Sequence, residues 1–260
     1  TYSPRIWAGY KFSQGLGVKF EYWNFSSGAN ATTTGAIFNG GSFGDQILAT
    51  FPGYDTITSD LRLQQRVKVT TYDFELMQDG IFHNWEFQVA GGARYAEAMF
   101  RNQVSTNMAT ITDTVFPFNP VIAGQGPFTQ QSDSRFRGVG PTISLFARRP
   151  FGSWDGFALI ADTRMSFLFG DTRARNQFIN GNVAPAAITN LPGGTNNDIV
   201  PLWELRVGGE WSRILNNGMR LHIGALFEGQ FWDWNPPVFA NSSGSGFGFA
   251  GPTLTVGIDR

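Results

Sequence analysis

Apolar and polar residues alternate with a period of two along most of the chain, most clearly from Met219 to Trp232. There Leu221, Ile223, Ala225, Phe227 and Phe231 share one face, and Arg220, His222, Glu228 and Gln230 share the other. Between Trp203 and Trp211, Leu205 and Val207 keep the parity of the two tryptophans, against Glu204, Arg206 and Glu210. Trp85, Phe87, Val89, Ala93 and Tyr95 oppose Glu86, Gln88 and Arg94 in the same way. Such alternation marks strands with one apolar face, and helical periodicity is scarce. The runs exceed the five or six residues common in soluble sheets. They approach the roughly 9–11 residues that carry a tilted strand across a bilayer.

Nine strands are predicted, over residues 3–12, 17–26, 60–76, 84–101, 134–149, 156–170, 200–213, 219–233 and 246–259. The third changes phase: Leu61, Leu63, Val67 and Val69 share a face, whereas Tyr72, Phe74 and Leu76 have the opposite parity. A bulge near Thr70–Thr71 would restore a single apolar face, because one extra residue swaps every later side chain.

The connections alternate in length. Short turns are expected at Ser13–Leu16, Gln78–His83, Pro150–Asp155 and Asn216–Gly218, and long loops over 27–59, 102–133, 171–199 and 234–245. Short turns at one end and long loops at the other are how outer-membrane barrels are built. The expected fold is therefore all-β: a transmembrane antiparallel up-and-down barrel of about ten strands (range about 8–12), forming one domain over residues 1–260. The first predicted strand enters a short turn and the last leaves a long loop, so nine strands leave an odd count. Single-chain bacterial barrels normally have even numbers. At least one more strand, preceding Thr1 or supplied by another chain, is expected. Thr-Tyr-Ser-Pro carries no export signal, so one is expected either to have been cleaved or to lie before Thr1.

Composition narrows this further. The chain has 32 Gly, 15% aromatic residues and only 15% charged residues, against roughly 25% charged in ordinary soluble domains. No apolar run reaches the roughly 20 residues of a membrane helix. A barrel shows lipid only one face of each strand and so evades hydropathy windows. With 19 basic and 20 acidic residues and no Cys, neither a nucleic-acid surface nor a disulfide framework is implied.

The face opposite the apolar one carries the candidate lumen residues: Lys19, Glu21, Arg62, Arg66, Lys68, Asp73, Glu75, Glu86, Arg94, Arg137, Arg148, Asp162, Arg164, Glu204, Arg206, Glu210, Arg220, His222 and Glu228. Both signs are interspersed on neighbouring strands. One reading is a pore lining whose charges set ion preference. The other is a ladder of ion pairs filling a narrow barrel. The only histidines are His83, in a predicted turn, and His222, on the inner face with Asp162 and Glu204 as candidate neighbours. Catalysis is not expected, and without Cys and with two separated His no metal site or cofactor is expected either. Gly138–Gly140 and Gly246–Gly248 lack the following helix that a nucleotide loop requires.

Phe12, Tyr22, Trp85, Trp154, Phe157 and Trp211 lie near predicted turn ends, and Phe100, Phe169, Phe231, Trp232 and Trp234 near loop ends. That distribution fits two interfacial girdles. The stiff segments Asn235-Pro-Pro-Val and Phe116-Pro-Phe-Asn-Pro-Val are apolar for surface loops. They suit either a constriction at the mouth or a contact with a neighbouring protein.

Several stretches stand out along the strands: Pro4-Arg-Ile-Trp-Ala-Gly-Tyr10, Val69-Thr-Thr-Tyr-Asp-Phe-Glu75 and Gly91-Gly-Ala-Arg-Tyr-Ala-Glu97, then Gly138-Val-Gly-Pro-Thr142 with Ala147-Arg-Arg-Pro150, Glu210-Trp-Ser212 and Glu228-Gly-Gln-Phe-Trp232. In that order they resemble the Legionella major outer-membrane protein-like pore-forming barrels, a group also common in planctomycetes. The resemblance implies a fully spanning barrel with pore activity, no defined substrate, and a strand upstream of the Pro-Arg-Ile-Trp-like segment. The function so expected is a porin-like channel for ions or small solutes in the bacterial outer membrane. The alternative is a structural envelope protein that forms arrays or anchors partners through its loops. Expected partners are outer-membrane lipid and lipopolysaccharide, with further copies or other envelope proteins.

Overall fold

The computed structural model describes residues 3–12, 15–38, 56–113, 121–151, 156–180, 187–191, 195–215, 218–234 and 246–259. Their strands are β1 (Arg5–Lys11), β2 (Leu16–Phe38), β3 (Thr56–Phe82), β4 (Trp85–Asp113), β5 (Val121–Pro150), β6 (Phe157–Asn180), β7 (Ala187–Leu191), β8 (Thr195–Ile214), β9 (Arg220–Trp232) and β10 (Phe247–Asp259). All neighbours pair antiparallel in the order β1-β2-β3-β4-β5-β6-β8-β9-β10, and the short β7 continues beside the end of β6. The sheet is up-and-down and curled into an open barrel with β1 and β10 as its edges. Side chains on or next to the two edges meet inside the curl. The Phe25 and Phe249 ring centroids are 4.2 Å apart, and Arg5 on β1 pairs with Glu228 on β9.

Alternation along each strand sends one set of side chains into the curl and the other to the outside. On β6 the outward set is Phe157, Leu159, Ala161, Thr163, Met165, Phe167 and Phe169, apolar at six of its seven positions. Phe169 is 53% exposed and Phe157 45%. Outward Leu254, Val256 and Ile258 on β10 and Trp203 and Leu205 on β8 are likewise left uncovered. Twelve residue steps on β6 climb about 30 Å at a tilt of roughly 40°, the thickness of a hydrocarbon core. An exposed apolar belt of that height is stable only against lipid.

All nine predicted strands are present, in order, but most run longer than the alternation indicated. Residues assigned to long loops, such as 27–38, 56–59, 102–113 and 121–133, continue the β2–β3 and β4–β5 hairpins. Towards the loop end, beyond the lipid belt and the inner aromatic layer, hydrocarbon no longer imposes an apolar face, so period-two patterning fades although the backbone ladder continues. The predicted loop segments 116–119 and Asn235-Pro-Pro-Val, along with Trp154, lie outside the described residues.

The expected bulge at Thr70–Thr71 is absent: pairing is continuous from Thr33↔Leu61 to Leu16↔Gln78 on one side of β3. What changes there is the environment. Above Thr71 the apolar side chains Leu63, Val67 and Val69 turn inward; below it Tyr72, Phe74 and Leu76 turn outward to lipid.

The β3–β4 connection is tighter than expected. Phe82 pairs with Trp85, which leaves only His83 and Asn84 to turn the chain, and His83 adopts φ 55°. A left-handed backbone costs an L-residue about 1–2 kcal/mol, while glycine accepts it at a chain-entropy cost of about 0.5–1 kcal/mol. His83→Gly is therefore expected to be neutral, or to stabilise by up to about 1 kcal/mol, in urea unfolding of the refolded barrel. A larger loss would mean that the edge-on packing of His83 against Phe82, with centroids 4.2 Å apart, outweighs the backbone strain.

Candidate functional site

The inward faces of the strands build two layers. The lower and central layer is ionic. Arg94 on β4 is wholly buried and grips Asp73 on β3 with two hydrogen bonds, the longer 2.8 Å, while its other terminal nitrogen donates to Glu204 on β8. Arg164 on β6 reaches Glu75 at 3.0 Å, Glu21 at 3.1 Å, Asp73 at 3.2 Å and Glu204 at 3.7 Å. These carboxylates stand on β2, β3 and β8, so two guanidinium groups tie separated walls across the lumen. Arg5 adds ion pairs to Glu21, Glu204 and Glu228, and Lys19 lies 3.0 Å from Glu75. In this cluster four cations face five carboxylates.

Small inward residues make room for these long side chains. Thr142, Ser144 and Ser166 are buried on β5 and β6, where a bulkier inward residue would fill the space, while Gly92 and Gly140 let neighbouring strand backbones approach closely. Ser144 Oγ also donates to Glu75, at 3.3 Å. Nearer the turns, Arg148 bonds Glu86 at 3.0 Å and Glu210 at 2.8 Å, and Arg206 pairs with Asp162.

The upper layer is apolar and aromatic. Trp23, Phe100, Phe136, Leu168, Val200, Leu202, Trp232 and Trp234 are buried together, with Phe25, Phe247 and Phe249 packed on them. Trp234, just beyond β9, lies 5.6 Å from Phe100 and 5.7 Å from Phe136 by ring centroids, and its indole N–H donates to Thr172 Oγ1 at 3.0 Å. It thus reaches from the end of β9 to side chains of β4, β5 and β6 inside the curl.

Most candidate lumen residues project inward: Lys19, Glu21, Asp73, Glu75, Glu86, Arg94, Arg148, Asp162, Arg164, Glu204, Arg206, Glu210, Arg220, His222 and Glu228. Four do not. Arg62, Arg66 and Lys68 share the outward parity of Tyr72 on the unbulged β3, and Arg137 shares that of Val139 on β5; all four are exposed. His222 stacks against Trp7, with centroids 6.4 Å apart, and is not brought to Asp162 or Glu204, whose ion pairs are with arginines.

Arg5 was missed, although Arg5 and Trp7 alternate inward as Glu21 and Trp23 do. Phe100, Trp232 and Trp234, expected at the loop-end girdle, point inward. Their parity with Arg94 and Gln230 carries that information, and it outweighs the preference of an aromatic ring for the lipid interface. Tyr22 belongs to the loop side of the belt, where it pairs with Tyr72 and Tyr72 with Tyr95, at centroid distances of 5.2 and 6.2 Å.

A lipid-facing apolar belt on a curled up-and-down sheet, with charge held inside, defines an outer-membrane β-barrel protein. The sequence matches the family model described as Legionella pneumophila major outer membrane protein precursor over residues 3–259. The chain belongs to that family, and its place is the bacterial outer membrane. No curated protein matches it.

Proposed function

We propose that this protein is a narrow, gated channel for small ions. The observation that carries this reading is the lumen-spanning network in which Arg164 is shared among four carboxylates on three strands. A cation with several alternative partners can exchange one for another at little net cost, because every arrangement keeps it paired. Rearrangement of that kind opens a path for a small ion without exposing an unpaired buried charge. A wide diffusion pore is disfavoured, since both layers place long, buried side chains inside the curl. A structural role in the envelope is the second reading, and the aromatic seal around Trp234 favours it.

Planar-bilayer recording separates the two. The refolded protein is expected to give small, infrequent current steps, and Trp234→Ala with Phe100→Ala is expected to raise their size or frequency severalfold. If neither protein conducts at any applied voltage, the channel reading falls and the structural one stands.

A further inference from the structure

The outward cations that the unbulged β3 takes away from the lumen are not scattered. Cross-strand register sets them in three successive rungs directly above the tyrosine rung Tyr22–Tyr72–Tyr95. The first carries Glu97 and Arg137, with Asp171 beyond them; the second carries Lys68, Met99, Arg135 and Arg173. The third carries Arg66, Arg101, Asp133 and Arg175. Seven cations thus face three carboxylates on one side of the barrel. Glu97 pairs with Arg135 and Arg137, and Asp133 with Arg101. Among the described residues Lys68, Arg66, Arg173 and Arg175 have no carboxylate within ion-pair distance, and all four are exposed. A cavity of about 300 Å³ joins the tyrosine rung to this patch, lined by Lys68, Thr70, Tyr72, Tyr95, Glu97 and Met99.

We propose that this face binds a multiply phosphorylated glycolipid of the outer leaflet, of the lipid A type. The patch lies just above the lipid belt at the loop end, which in outer-membrane barrels is the outer side. Its excess positive charge therefore stands where outer-leaflet headgroups lie. Lys68 on β3 and Arg173 on β6 are three strands apart, roughly 14 Å at the usual strand spacing. Two phosphates of one headgroup can be met at once across that span, while acyl chains run down beside Tyr72 and Tyr95. Arginine suits the role because its planar fork bonds phosphate bidentately.

Native mass spectrometry of the purified, folded barrel titrated with bisphosphorylated lipid A tests the assignment. Replacing Lys68, Arg135 and Arg173 together by Gln is expected to weaken binding by on the order of 100-fold, about fivefold per charge. Lys11→Gln with Arg213→Gln, at the turn end, should change it less than twofold, and dephosphorylated lipid A should bind the native protein as poorly as the triple variant binds the intact lipid. Heat-modifiable migration of each variant confirms that the barrel is folded. Undiminished binding by the folded triple variant, or equal affinity for the dephosphorylated lipid, would overturn the assignment.

Discussion

Arg164→Met is expected to lower the unfolding free energy of the barrel by about 3 kcal/mol, the low end of the 3–5 kcal/mol typical when one partner of a buried ion pair is removed. The side chain is 1% exposed and serves four carboxylates, so its loss turns a cluster of four cations and five carboxylates into three against five. The loss stays at the low end because each carboxylate keeps another cation: Asp73 keeps Arg94, Glu75 keeps Lys19, and Glu21 keeps Arg5. Adding Glu75→Gln to Arg164→Met removes one negative charge and is expected to restore about half of the lost stability. Urea unfolding in liposomes at neutral pH measures both. A single variant within 1 kcal/mol of the native protein, about the worth of an exposed pair, would show that the network is solvated in the membrane.

Gly140→Ala is expected to prevent refolding to the heat-modifiable form, a loss of about 4 kcal/mol or more, in the range reserved for severe packing violations. A Cβ at Gly140 would sit 1.7 Å from the Phe167 carbonyl oxygen and 2.8 Å from its carbon. Both atoms are backbone, so relief requires β5 and β6 to separate. The two strands pair at Val139↔Phe169 and again at Thr142↔Ser166, and between these Gly140 and Pro141 pair only with β4. Pro141 has no N–H to give, so little holds the gap closed once Gly140 is enlarged. Gly91→Ala is the matched control: on the neighbouring β4 its Cβ would meet nothing nearer than the Thr142 carbonyl oxygen at 3.8 Å. That variant should refold normally, and equal failure of both would place the defect in strand propensity rather than in the close approach at Gly140.

The lower two thirds of the barrel were legible in the residues themselves. Leu221, Ile223 and Phe227 against His222 and Glu228 announced both the strand and its lipid face, because a bilayer on one side and a polar lumen on the other impose opposite demands on alternate positions. The inward direction of Arg94, Arg164 and Glu204 followed from the same parity. The upper third was misread. Alternation there sets Arg62, Arg66 and Lys68 opposite Leu63, Val67 and Val69, and an expected bulge at Thr70–Thr71 makes those apolar residues the lipid face. The unbulged strand instead turns them inward and the cations outward. Arg137 likewise faces outward, and Phe100 and Trp232, near the loop ends, point inward rather than to a girdle.

What the sequence determined by itself was therefore the strand order, the alternation of turns and loops, and which face of each strand meets hydrocarbon. Only the tertiary structure decided that Arg164 meets Glu21, Asp73, Glu75 and Glu204 together, that Trp234 packs on Phe100 and Phe136 across the inside, and that the cations of β3 to β6 stand side by side on the outside. The first set rests on local period-two chemistry, which each strand carries alone. The second depends on register and curl, which join residues as far apart as Arg5 and Glu228 and leave no mark in any single strand. Above the lipid belt it depends also on an exchange of roles, since water lies outside the barrel there and an apolar seal lies within it.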